Sequence, residues 1–115
     1  MTTPTLAVEG RPGPRENQYL VVLEGKLTLF EVFKFQQAVQ ESQAHTTIVD
    51  LTNVSLVDSM GLGAIVQAHV HHQRANRRLA LVGVNERVGK LLQISGLNPV
   101  LTIFATLDKA AEALA

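Results

Sequence analysis

Ser59 stands where a strand-like run gives way to a helix-like one, in the stretch Val57-Asp58-Ser59-Met60-Gly61-Leu62-Gly63. The first N–H groups of a helix have no intrahelical partner, so a short hydroxyl residue at that junction reads as a helix cap. The same place suits a phosphate. Its charge of about −1.5 to −2 would meet unpartnered N–H groups at the positive end of the helix dipole. Asp58, next to it, is a second cap acceptor and would oppose such a phosphate by like-charge repulsion. Gly61 and Gly63 fall in the first turn, where each costs roughly 1 kcal/mol relative to alanine. That cost fits a backbone that a partner must approach closely, with Leu62 shared between core and contact. The chemistry is recognition and reversible modification at Ser59, not catalysis.

Other constellations are weaker. His69, His71 and His72 form the one metal-like cluster, and His69 and His72 are i, i+3 neighbours on a helix. No cysteine and no carboxylate on that segment completes a tetrahedral set, so the cluster reads as a solvated helix face and no metal is expected. Gly61-x-Gly63 falls short of a dinucleotide fingerprint, because Val66 is too bulky for the third small position. Neither a Gly-Lys-Ser/Thr phosphate loop nor Gly-x-Ser-x-Gly occurs. No cofactor and no enzyme activity are expected.

The elements that must position Ser59 alternate. Residues 5–8 read as an edge strand, and Gly10-Arg11-Pro12-Gly13-Pro14 as a turn with Pro-Gly at its centre. Tyr19-Leu20-Val21-Val22-Leu23 is a strand covered on both faces, ended by Gly25 and paired antiparallel with the first. Thr28-Leu29-Phe30-Glu31 has capping-box spacing and predicts a helix to about Ser42. Val32, Phe35, Ala38 and Val39 share its core face; Phe30 and Phe33 lie opposite, as a candidate aromatic hot spot for a partner or a homodimer. A strand over residues 46–51 leads through 52–57 to Ser59, and the helix begun there runs to about Asn76. Leu62, Ile65, Val66 and Val70 mark its apolar face, and Arg74, Arg77 and Arg78 suit its negative end.

A strand over 79–84 follows. Asn85 caps a helix carrying Val88, Leu91, Leu92 and Ile94, which Gly96 stops. Pro99 precedes a strand over 100–104, and Thr106 or Asp108 opens a last helix ending near Ala113. The order β-β-α-β-α-β-α-β-α predicts an α/β domain with a mixed, mainly parallel sheet. Ser59 then lies at the carboxyl end of its strand, where open α/β sheets place their sites.

The totals narrow the function. At 115 residues the chain holds one domain, taken as 1–115. Ten basic residues balance ten acidic ones, which argues against nucleic acid as the main partner. No apolar run reaches the roughly 18 residues of a membrane span, and residues 1–4 lack a signal-peptide pattern. A cytoplasmic protein without membrane insertion is expected.

Asp50-Leu51-Thr52 followed by Val57-Asp58-Ser59-Met60-Gly61-Leu62-Gly63 resembles the signature of STAS domains, the family of bacterial anti-sigma factor antagonists. Glu24-Gly25-Lys26-Leu27 and Val88-Gly89-Lys90-Leu91-Leu92-Gln93-Ile94-Ser95-Gly96-Leu97 extend the resemblance over almost the whole chain. It implies a switch. The unmodified domain binds an anti-sigma factor that is also a serine kinase; phosphorylation at the position matching Ser59 releases it, and a phosphatase resets it. Thr28 stands where the family often has an acidic residue, and Met60 where it often has a second hydroxyl. Both border the partner surface. The family also includes non-switching scaffolds and accessory subunits of transporters and lipid-handling systems.

Overall fold

The structure, a computed structural model, describes residues 6–115; Thr5, where the first strand was expected to begin, lies outside them. The elements are β1 (Leu6–Pro12), β2 (Gln18–Leu27), α1 (Val32–Glu41), β3 (Thr46–Val57), α2 (Ser59–Arg74), β4 (Arg78–Val82), α3 (Glu86–Ile94), β5 (Thr102–Phe104) and α4 (Leu107–Ala113). This is the order read from the sequence. The sheet runs β1-β2-β3-β4-β5, with β1 antiparallel to β2 and the remaining pairs parallel. Parallel neighbours need crossovers, and α1, α2 and α3 supply them.

Both faces of the central strands are covered. On one, Phe35 of α1, Ile65 of α2 and Leu92 of α3 pack with Leu23, Leu51 and Leu81 of the sheet. On the other, Ala110 of α4 packs with Leu20, Ile48 and Val82. This two-sided burial is why the strands read as nearly unbroken apolar runs. Two helix starts are as expected: Asn85 accepts the Val88 N–H at 2.8 Å and Thr106 accepts the Lys109 N–H at 3.2 Å. Past α3, the Gly96 N–H donates to Gln93 O at 3.1 Å and the Leu97 N–H to Leu92 O at 2.9 Å, the paired bonds of a Schellman stop.

Several boundaries move. Pro12 belongs to β1, opposite Tyr19, a place open to proline because β1 is an edge strand. The chain reverses over residues 13–17 instead, closed by Gly13 N–H to Gln18 O at 2.8 Å with Asn17 at φ 63°. Gly25 does not end β2. It sits at φ 116° beside a bulge, and pairing with β3 continues to Leu27 opposite Val57. β3 likewise runs on to Val57, where exposed Thr52, Asn53, Ser55 and Leu56 interrupt the apolar pattern that marks its first half. β4 ends at Val82, β5 begins only at Thr102 and α2 stops at Arg74.

The phase of α2 also differs. Its buried face is Gly61, Ala64, Ile65, Ala68 and His72, whereas Leu62, Val66 and Val70 lie half-buried along its flank. Small residues win the core face because the helix seats closely on the sheet. In α3, Val88 and Leu92 are buried but Ile94 is 74% exposed, being about 200° around the helix from Leu92.

Candidate functional site

β2 and β3 end side by side at Leu27 and Val57, and Asp58 ties the loop beyond β2 to the start of α2. Its N–H donates to Leu27 O at 3.2 Å and its carbonyl accepts the Leu62 N–H at 2.9 Å. One carboxylate oxygen accepts the Gly61 N–H at 2.8 Å, and the other accepts the Leu29 N–H at 3.0 Å. Asp58 is therefore the N-cap of α2. Of the two cap candidates it is Asp58 that serves, and Ser59 occupies the first helical position. The carboxylate meets the two donors with separate oxygens, one for each. The Gly61 N–H above all, then those of Leu29 and Met60, hold the Asp58 carboxyl below its ordinary value of 3.8, against a smaller upward push from burial.

Ser59 is exposed. It opens a groove of about 740 Å³ between α1 and α2, which Val32, Leu62, Val66, Val70 and Leu97 line with apolar surface. The half-buried flank of α2 is thus continuous with the Ser59 turn. Met60, beside it, is 50% exposed.

The loop before α1 completes the surface. The expected capping box at Thr28 does not form: the N-cap of α1 is Glu31, without a side-chain cap bond. Thr28 instead offers its carbonyl to the N–H groups of Glu31 at 2.9 Å and Val32 at 3.0 Å. With the Leu29 N–H committed to Asp58, the loop is held against the start of α2 and the helix begins later. Glu31 pairs with Lys34 at 2.9 Å. Phe30, in the loop before α1, is 89% exposed, and Phe33, in the first turn of α1, is 80% exposed, so both lie outside the core as the sequence reading had them. Leu29, which the sequence pattern did not single out, is 51% exposed beside them. The signal for it was available: a leucine between a strand end and a helix, outside the Val32, Phe35, Ala38 and Val39 stripe.

The two glycines of α2 part company. A Cβ on Gly61 would collide with the Leu27 carbonyl oxygen and approach its side chain. Gly61 is buried, so its missing side chain serves the domain's own packing rather than a partner. A Cβ on Gly63 would meet nothing within 4 Å, which leaves that stretch of helix backbone open to approach.

The histidines are not one solvated face. His72 is fully buried, with Nε2 at 2.8 Å from Thr47 Oγ1 and Nδ1 at 3.1 Å from Ala68 O. Both ring nitrogens are engaged, so His72 cannot share an ion with His69. Among the described residues, no group of three or more His, Cys, Asp or Glu side chains is placed to hold a metal. None of their helices is long and apolar enough to cross a membrane.

Known proteins resemble this chain in sequence and in fold. The STAS domain model matches residues 6–110. The anti-sigma-B factor antagonist of Staphylococcus epidermidis is 31% identical over 88 residues, covering 74% of this chain and 82% of that protein. The unphosphorylated form of the anti-sigma factor antagonist SpoIIAA superposes with a TM-score of 0.74 at 25% identity, covering 94% of this chain and 96% of its own. An anti-sigma factor antagonist from Mycobacterium paratuberculosis shares the fold at a TM-score of 0.81 and 16% identity, over 98% and 97% of the two chains. With the family match extending from β1 into α4, the chain belongs to the STAS domain family.

Proposed function

We propose that this domain is an anti-sigma factor antagonist: a protein-binding module, without catalytic activity of its own, that is switched by phosphorylation of Ser59. In the unmodified state it binds an anti-sigma factor with serine kinase activity; phosphorylation releases it, and a phosphatase restores binding. The observation that carries the reading is an exposed hydroxyl on the first turn of α2, next to exposed Met60 and an apolar groove, with the loop of exposed Leu29 and Phe30 tied to the same turn through Asp58. A phosphate there adds charge at an open helix start without entering the core. A partner covering the same apolar patch would have to desolvate that charge.

Asp58 positions the site by fastening the Leu29 loop to α2, and Gly63 gives the partner access to the helix backbone. Leu62 divides its surface between core and groove. Thr28 lies half-buried beneath the loop, a boundary contact rather than a centre. The aromatic patch also offers a surface for a homodimer in the unbound state.

The test is direct. With ATP and the cognate kinase, wild type gains one phosphoryl group by intact mass and Ser59→Ala gains none; modification elsewhere sinks the assignment. Ser59→Asp weakens partner binding by about 1–3 kcal/mol, the usual range for coupling between a switch and its ligand. Equal affinity of the Ala and Asp variants would favour a constitutive scaffold or transporter-accessory domain instead.

A further inference from the structure

The far end of α2 holds a buried polar cluster that the switch does not use. Ser42, closing α1, and Thr47 of β3 are both buried, and their hydroxyl oxygens lie 2.8 Å apart. Thr47 in turn meets His72 Nε2, and His72 Nδ1 meets the Ala68 carbonyl. Arg77, after α2, donates from Nη2 to Ser42 O at 2.7 Å and to Ser42 Oγ at 3.4 Å, and from Nε to Ala44 O at 2.8 Å. Its own N–H donates to the His72 carbonyl at 2.8 Å.

Donor and acceptor rules fix the two ends of this chain. Arginine has no acceptor, and a carbonyl has no donor. Arg77 must therefore donate to Ser42 and Nδ1–H to Ala68; Ser42 donating to Thr47 and Thr47 to Nε2 then gives every hydroxyl proton an acceptor. Of the forms of the His72 ring, only the neutral Nδ1–H tautomer fills every gap and leaves no hydroxyl proton of this cluster without an acceptor. A second ring proton, on Nε2, would turn the Thr47 hydroxyl back toward Ser42. Ser42 would then face donors from both sides and lose the acceptor for its own proton.

Nothing nearby compensates an imidazolium. The charges facing His72 are Arg77, His71 and His69, none of them acidic. β3 and α1 contribute the hydroxyls of Thr47 and Ser42, and β4 contributes apolar Leu79 and Leu81 to the same core. Burial, followed by the repulsion of Arg77, holds the ring below its ordinary value of 6.5; the hydrogen bond to Ala68 only partly offsets this.

We propose that His72 is an acid-sensitive latch. Its neutral ring closes a one-way hydrogen-bond chain that fastens the ends of α1 and α2 to β3, and protonation opens that corner. A corner that takes up one proton on opening gains open population as pH falls through 6.5, by at most about tenfold per unit and only down to the folded value of the ring. The effect is independent of whether Ser59 is a phosphate acceptor.

Amide hydrogen exchange of α2 and the start of β3, corrected for intrinsic rates, reads the opening directly between pH 7.5 and 5. In wild type the open population rises as pH falls below 6.5, by up to about tenfold per unit. In His72→Gln, which can accept from Thr47 without titrating, the profile is flat. A slope in His72→Gln equal to that of wild type overturns the proposal. Nitrogen NMR of the ring in the wild-type domain tests it without any variant. An Nδ1–H tautomer that stays neutral in the folded state at pH 6 supports the latch; an Nε2–H tautomer, or a folded ring titrating at or above 6.5, refutes it.

Discussion

The two ends of α2 solve one problem in opposite surroundings. At the start, Asp58 satisfies the N–H groups of Gly61 and Leu29 with a carboxylate that faces solvent. Toward the end, His72 satisfies Thr47 and Ala68 with a ring wholly inside the protein. Charge can be added near the first at little structural cost, because water receives it. Charge added at the second has neither solvent nor a counter-ion. An exposed polar helix end is thus available for signalling, whereas a buried one is a structural commitment.

Their pH windows separate for the same reason. Both groups bind a proton more weakly in the folded state than in the unfolded chain, so both contribute stability that acid removes. His72 begins to lose its contribution as pH falls through 6.5, and continues down to its folded value. The Asp58 contribution is complete above 3.8 and is lost as pH falls through its lowered folded value.

The sharpest way to break the comparison uses one substitution at two neighbouring sites. Gly61→Ala forces a Cβ against the Leu27 carbonyl and should destabilise by about 1–3 kcal/mol through overpacking. Gly63→Ala adds a methyl group to open space and should stabilise by up to about 1 kcal/mol through helix propensity. Urea midpoints at unchanged slope measure both. If the two variants shift in the same direction, α2 does not seat on the end of β2.

Asp58→Ala comes next in size. Losing the cap should cost about 1 kcal/mol, and freeing the Leu29 N–H should raise exchange at that amide. The acid limb of the stability curve below 3.8 should become shallower, while the limb beginning at 6.5 stays. An unchanged limb below 3.8 would mean that other carboxylates govern acid unfolding.

How far the sequence led depends on what each residue had to satisfy. Element order and the Phe35 face of α1 were legible because burial imposes period and length on apolar residues. The Asn85 and Thr106 caps were legible because capping chemistry is local. The sequence left the α2 cap between Ser59 and Asp58 because the second duty of Asp58, holding Leu29, joins residues 29 positions apart. The Thr28 capping box failed because the Glu31 N–H goes to the Thr28 carbonyl and the Glu31 carboxylate pairs with Lys34. His72 looked like a surface residue since Thr47 and Ser42, its partners, announce nothing in sequence. Gly61 and Gly63 looked alike because only the position of Leu27 distinguishes them.

Ser59→Ala has the smallest expected effect on the fold. The Ser59 side chain is exposed and the cap beside it is Asp58, so removing its oxygen should change stability by no more than about 0.5 kcal/mol. A loss nearer 1 kcal/mol would mean that Ser59 shares in capping α2, and the division between a structural Asp58 and a free Ser59 would fail. Thermal unfolding of wild type, Ser59→Ala and Asp58→Ala, with the double variant, separates these cases. Additive effects leave Ser59 a bystander in folding, while coupling beyond about 0.5 kcal/mol makes the two residues one cap. A hydroxyl that the fold can lose without consequence is one that a kinase can modify without unfolding the domain.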